Sequence, residues 1–189
     1  MTWPTKTDFV DGDVLSAAQV NNIGTNLNIF NPTSVAANKV LTADGSNDAD
    51  YLDTLTNLIA QGLKESWNVA ATAATGTVDF DTLTSTAWLY TSNATGNWTL
   101  NVRGDGSTTL ASLLNTGDSI TIAFAVTQGA TAYYNTAFQI DGSSVTPEWQ
   151  GGAAPIAGNP SAIDVYVYTI IKTAATPTYT VLASQTLFA

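Results

Sequence analysis

Asp79 and Asp81, two residues apart in Thr77-Val78-Asp79-Phe80-Asp81, come nearest by type and spacing to a general acid–base pair. A glycosidase needs two carboxyl groups on facing surfaces, one protonated and one ionised. Alternate residues of a strand point to the same face instead, so these two stand side by side with no opposing group identified. A solvated strand edge accounts for them more simply. The run Asp44-Gly45-Ser46-Asn47-Asp48-Ala49-Asp50 places oxygen-bearing side chains at alternating positions, like the first half of a calcium loop. Ala49 and Leu55 stand where such a loop requires its glycine and its bidentate acid. Helix capping by Asp48 or Asp50 uses the same residues, and no metal site is expected.

The chain contains no histidine and no cysteine. That excludes Ser-His-Asp triads, imidazole-ligated metals and thiolate chemistry together. Neither common glycine-rich phosphate loop occurs, so no catalytic residue and no cofactor is expected. Recognition by aromatic side chains remains. Trp67, Trp88, Trp98 and Trp149, with Tyr133 and Tyr134, have the chemistry of a sugar-stacking platform, although strand tryptophans more often fill cores. Trp149 lies in the loop-like stretch Thr146-Pro147-Glu148-Trp149-Gln150-Gly151-Gly152, where an exposed indole calls for an occupant. It is the candidate contact for a host-surface glycan or a neighbouring subunit. Asn93-Ala94-Thr95 and Asn97-Trp98-Thr99 fit the glycosylation pattern, but with no secretion signal they read as turn and strand residues.

The elements that must carry these side chains are strands. From about Trp67 the pattern alternates, most clearly over 119–127, where Ile120, Ile122, Phe124 and Val126 point one way. Further strands are expected over 66–71, 77–80, 87–91, 98–102, 133–140, 145–149, 163–172 and 178–185. Turn sequences such as Gly104-Asp105-Gly106 and Asp141-Gly142 separate them. Leu110, Leu113 and Leu114 before Gly117 read as one helical turn. Many short strands in about 120 residues predict a β-sandwich, with jelly roll the leading topology.

The first part of the chain reads as helical. Val20, Ile23, Leu27 and Phe30 recur at intervals of three, four and three, ending at Pro32. A second periodic stretch begins near Asp50, with Tyr51, Leu52, Leu55, Leu58, Ile59 and Leu63. Ordering such short helices costs more backbone entropy than one apolar stripe returns, so each stripe needs a partner. Residues 1–65 are therefore expected to form a helical attachment and oligomerisation region, and residues 66–189 a β-sandwich domain. Val20, Ile23, Leu27, Phe30, Leu52, Leu55 and Ile59 are its expected assembly contacts.

Composition narrows the partners. Charged residues make up only 11% of the sequence, and the formal net charge is −10. Lys6, Lys39, Lys64, Arg103 and Lys172 are scattered singly, leaving no basic stripe to follow a phosphate backbone. Nucleic acid and anionic membranes are not expected partners. No stretch approaches the roughly 18–20 apolar residues of a membrane-spanning helix. Met1 to Lys6 lacks a basic region followed by an apolar run, so no secretory signal is expected.

The run Trp3-Pro4, then Phe9-Val10-Asp11-Gly12-Asp13-Val14-Leu15-Ser16-Ala17-Ala18-Gln19-Val20-Asn21, resembles the opening of many tailed-bacteriophage virion structural proteins. The likeness covers roughly the first thirty residues and ends at the Asn31-Pro32 turn. Gln139-Ile140-Asp141-Gly142-Ser143-Ser144-Val145-Thr146-Pro147 and Trp149-Gln150-Gly151-Gly152 are similar to C-terminal domains of such proteins, including those of aquatic and cyanobacterial phages. The resemblance implies a non-enzymatic head or tail appendage, often a homotrimer, made in the host cytoplasm and built into the virion beside other virion proteins. Trp3 would belong to its attachment segment. A long repetitive shaft is missing, which points to a short fibre, with a capsid decoration protein and a carbohydrate-binding adhesin as the alternatives.

Overall fold

The computed structural model describes residues 40–43, 49–52, 62 and 64–189 of the 189-residue chain. The chain divides into two units, Met1–Gly62 and Leu63–Ala189. In the first, β1 (Val40–Ala43) pairs antiparallel with β2 (Ala49–Leu52), with Val40 opposite Leu52 and Ala43 opposite Ala49. This corrects the helix expected from Asp50: Tyr51 and Leu52 lie on a strand. Pairing the two short strands satisfies their backbone groups locally. The remaining assembly positions (Trp3, Val20, Ile23, Leu27, Phe30, Leu55 and Ile59) lie outside the described residues, as do those expected to form a helical arm.

The second unit runs β3 (Asn68–Ala70), β4 (Gly76–Asp81), β5 (Ala87–Tyr90), β6 (Trp98–Arg103), α1 (Leu110–Leu113), β7 (Ser119–Thr127), β8 (Asn135–Ile140), β9 (Ser143–Ser144), β10 (Glu148–Trp149), β11 (Ile163–Ala174) and β12 (Thr178–Phe188). A six-stranded sheet has the order β10-β12-β11-β7-β5-β3, and a four-stranded sheet the order β4-β6-β8-β9. The unit is mainly β, and the strand expected over 119–127 has those bounds. From β3 to β8 the chain changes sheet at every step. Each strand therefore returns in the direction of the strand two before it. Hence β3, β5 and β7 are parallel neighbours, as are β4, β6 and β8. Antiparallel pairing is confined, in this unit, to β7–β11, β11–β12 and β8–β9. A jelly roll is built from antiparallel Greek keys, so β3 to β8 do not follow the expected topology. Alternation in a sequence fixes which face a residue occupies and carries no information on the direction of the neighbouring strand.

Side chains of both sheets meet in one core. Phe80 of β4 stacks on Trp88 of β5 at 4.8 Å between ring centroids. Phe138 of β8 stacks on Tyr168 of β11 at 4.6 Å, and Trp98 of β6 meets Tyr166 of β11 edge-on at 5.5 Å. These rings are buried, and each such pair adds about 0.5–1.5 kcal/mol beyond its area. The β8–β9 hairpin closes through Asp141-Gly142, both at positive φ (51° and 77°), with Ile140 opposite Ser143. That is the type I′ turn that an Asp-Gly pair favours.

Candidate functional site

On edge strand β4, Asp79 and Asp81 face outward beside Asn101 and Arg103 of β6, their register partners. The guanidinium of Arg103 donates from Nε to Asp81 Oδ1 at 2.7 Å and approaches Asp79 Oδ2 through NH1 at 3.0 Å. Asn101 Nδ2 donates to Asp79 Oδ1 at 2.7 Å, and Asn101 Oδ1 accepts from Gly142 N at 2.8 Å. The acid pair is thus a cross-strand clasp. The hydrogen bond from Arg103 to Asp81 raises the guanidinium's pKa. Nearby, hydrogen bonds from Ser107 and then Thr108 hold the Asp105 carboxyl below its ordinary range. The two carboxylates share one cation on one face, side by side rather than opposed as a glycosidase pair would be.

The aromatic platform does not assemble. Trp88 and Trp98 are buried in the core, and Trp88 Nε1 donates to Ser85 O at 3.1 Å. Trp67 is 44% exposed ahead of β3. Trp149 is half-buried on β10, where its indole meets Tyr168 edge-on at 5.8 Å. A notch of about 240 Å³ opens beside it, lined by Tyr134, Phe138, Pro147, Trp149 and Pro155 among others. A sugar site needs a few convergent polar groups as well as a ring face. The lining amide here is spent: Asn135 Nδ2 donates to Trp98 O (3.2 Å) and Ala137 O (2.8 Å), while its Oδ1 accepts from the Tyr168 hydroxyl (3.2 Å).

Two buried charged residues were not singled out as candidates from sequence. Asp164 is fully buried, accepting from Gln128 Nε2 at 3.0 Å and from Asn159 N at 3.1 Å. Burial pushes its carboxyl above the ordinary carboxylate value, against those hydrogen bonds. Gly158 packs so closely here that a Cβ would overlap the Tyr133 carbonyl oxygen. Lys172, also buried, donates from Nζ to Ala111 O at 2.7 Å and Leu114 O at 2.8 Å. The signal for both was parity: Asp164 and Lys172 share the inward register of Tyr166, Tyr168 and Ile170. Burial likewise raises the Tyr166 and Tyr168 hydroxyls, keeping both neutral.

Among the described residues, no three His, Cys, Asp or Glu side chains gather to hold a metal ion, and no helix is long and apolar enough to cross a membrane. Residues 44–48 of the acidic loop lie outside the described residues. No protein-family model, curated protein or solved structure matches the chain.

Proposed function

We propose that this chain is a non-enzymatic structural protein of a tailed-phage virion, a short trimeric fibre or appendage anchored through its N-terminal residues. The carrying observation is the run from Trp3 to Asn21 and its resemblance to the opening of such proteins. The β unit is consistent with a passive module. Its acid pair is tied to Arg103, and its other charged groups on β11 are spent on packing. We read the two sheets as a β-sandwich that projects from the particle, with residues 1–65 as its attachment and trimer region. The virion is its place of work, and other virion proteins are its partners. Deleting residues 1–32 should abolish incorporation into particles while leaving the β unit folded. A truncated chain that still decorates particles would overturn the reading.

A capsid decoration protein is the second reading. It predicts copy numbers tied to the capsid lattice and weakened heads when the chain is missing. A fibre predicts few copies and defective adsorption. A host-glycan adhesin has less support, because Trp88 and Trp98 are core residues and Asn135 is committed internally.

A further inference from the structure

The two sheets turn different outer faces to their surroundings. On the four-stranded sheet the outward positions carry Thr77, Asp79, Asp81, Thr99, Asn101 and Arg103, the polar-out alternation of a solvated face. The six-stranded sheet breaks that rule. Its register places Val69, Leu89, Ala125, Val165 and Thr186 in one outward row, with Ala87, Ala123, Val167 and Ser184 in the next, Ala87 and Ala125 being covered by their larger neighbours. Leu182 and Val69 stand 49% and 61% exposed. The two central hydroxyls, Thr121 and Thr169, hydrogen-bond to each other across β7 and β11 at 3.0 Å. Along these six strands the one charged outward residue is Glu148, which lies on edge strand β10 opposite Leu182.

We infer that this face is an interface between copies of the chain. Its charge supports self-packing: a chain of net charge −10 repels its own copies, and the single carboxylate of this broad surface, Glu148, lies on its edge strand. Its extent also supports it. β7, β11 and β12 have 9, 12 and 11 residues. With their neighbours, at about 3.3 Å per residue and 4.8 Å between strands, they span a footprint of roughly 600 Å². A standard interface buries about 800 Å² per partner, so the face supplies about three quarters of one, the scale of a small interface. Two such sheets would pack about 10 Å apart, as sheet faces do. The interface is independent of any virion role and of the N-terminal stripe.

Sedimentation equilibrium of the full chain, wild type against Leu182→Lys and Thr77→Lys, tests it. Leu182→Lys puts a charge on the apolar face, and Thr77→Lys puts one on the polar sheet. The expected result is a self-associating wild type, about tenfold or more weaker dissociation constants for Leu182→Lys, and no change for Thr77→Lys. A monomeric wild type, or equal behaviour of the two variants, overturns the inference. Should Leu182→Lys fail to fold, Thr169→Cys gives a second readout, because the chain has no other cysteine. A short bismaleimide should join copies of Thr169→Cys and leave Thr77→Cys unjoined. Failure to join Thr169→Cys, as when the face is covered from within its own chain, also overturns it.

Discussion

Asp141 and Lys172 grip opposite ends of the same four-residue helix from two different sheets. Asp141, in the β8–β9 turn, accepts from Leu110 N at 2.7 Å and Ala111 N at 3.0 Å. Lys172, on β11, donates to Ala111 O and Leu114 O. Each charge has the sign that the adjacent helix end favours. A single turn has no stability of its own, so α1 exists because these two residues and the buried Leu110 hold it.

Lys172→Met should therefore cost about 1.5–3 kcal/mol, because it leaves two partly buried carbonyls without a charged donor. Asp141→Ala should cost about 1–2 kcal/mol by leaving Leu110 N and Ala111 N without their acceptor, with added strain from alanine at a positive φ. In urea denaturation the double variant should lose less than the sum, since both act on one helix. Strict additivity would contradict the clamp.

Stability should also report on Asp164. Its folded pKa is raised by burial, so the folded state binds this proton more tightly than the unfolded chain. The contribution is fully present below the ordinary carboxylate value and is lost as pH rises through the raised value. Denaturation midpoints measured from pH 4 upward should show a decline in that window, and Asp164→Asn should flatten it. An unchanged profile in the variant would remove Asp164 as the source.

The clasp on the four-stranded sheet should contribute little. Arg103 and its partners are partly exposed, so Arg103→Ala should cost about 0.5–1 kcal/mol, shrinking in high salt. Asp79→Asn in the Arg103→Ala background should recover part of the loss by removing one of two adjacent like charges. Thermal melts at low and high salt would check both.

For Trp149, the edge contact with Tyr168 predicts a structural role. Trp149→Ala should lower stability by about 1–3 kcal/mol. Wild-type protein on a glycan array should show no binding that the variant loses. A glycan signal abolished by Trp149→Ala at unchanged stability would restore the adhesin reading.

What the sequence made legible was parity and punctuation. Ser119 to Thr127 alternates cleanly, and Asp141-Gly142 reads as a turn, which the backbone then closes as type I′. Strand direction was hidden, because the parallel partners of β5 and β6 are chosen by where the chain crosses between sheets. Asp50 to Leu52 was misread because Tyr51 and Leu52 continue a helical period into residues 55–63, while the backbone of this stretch pairs with Val40 to Thr42. Trp88, Trp98 and Trp149 are one residue type in two environments, and only register separates the core pair from the half-buried one. Lys172 was visible as a charge at an inward position, but its partners lie 58 and 61 residues away.

Cryo-electron microscopy of particles from a phage encoding this chain tests most directly whether it is a virion subunit. The expected map shows the β unit at symmetric sites in multiples of three, joined to the particle through residues ahead of β3. Particles that lack the chain, or that hold it through the β unit with the N-terminus facing solvent, would contradict the proposal.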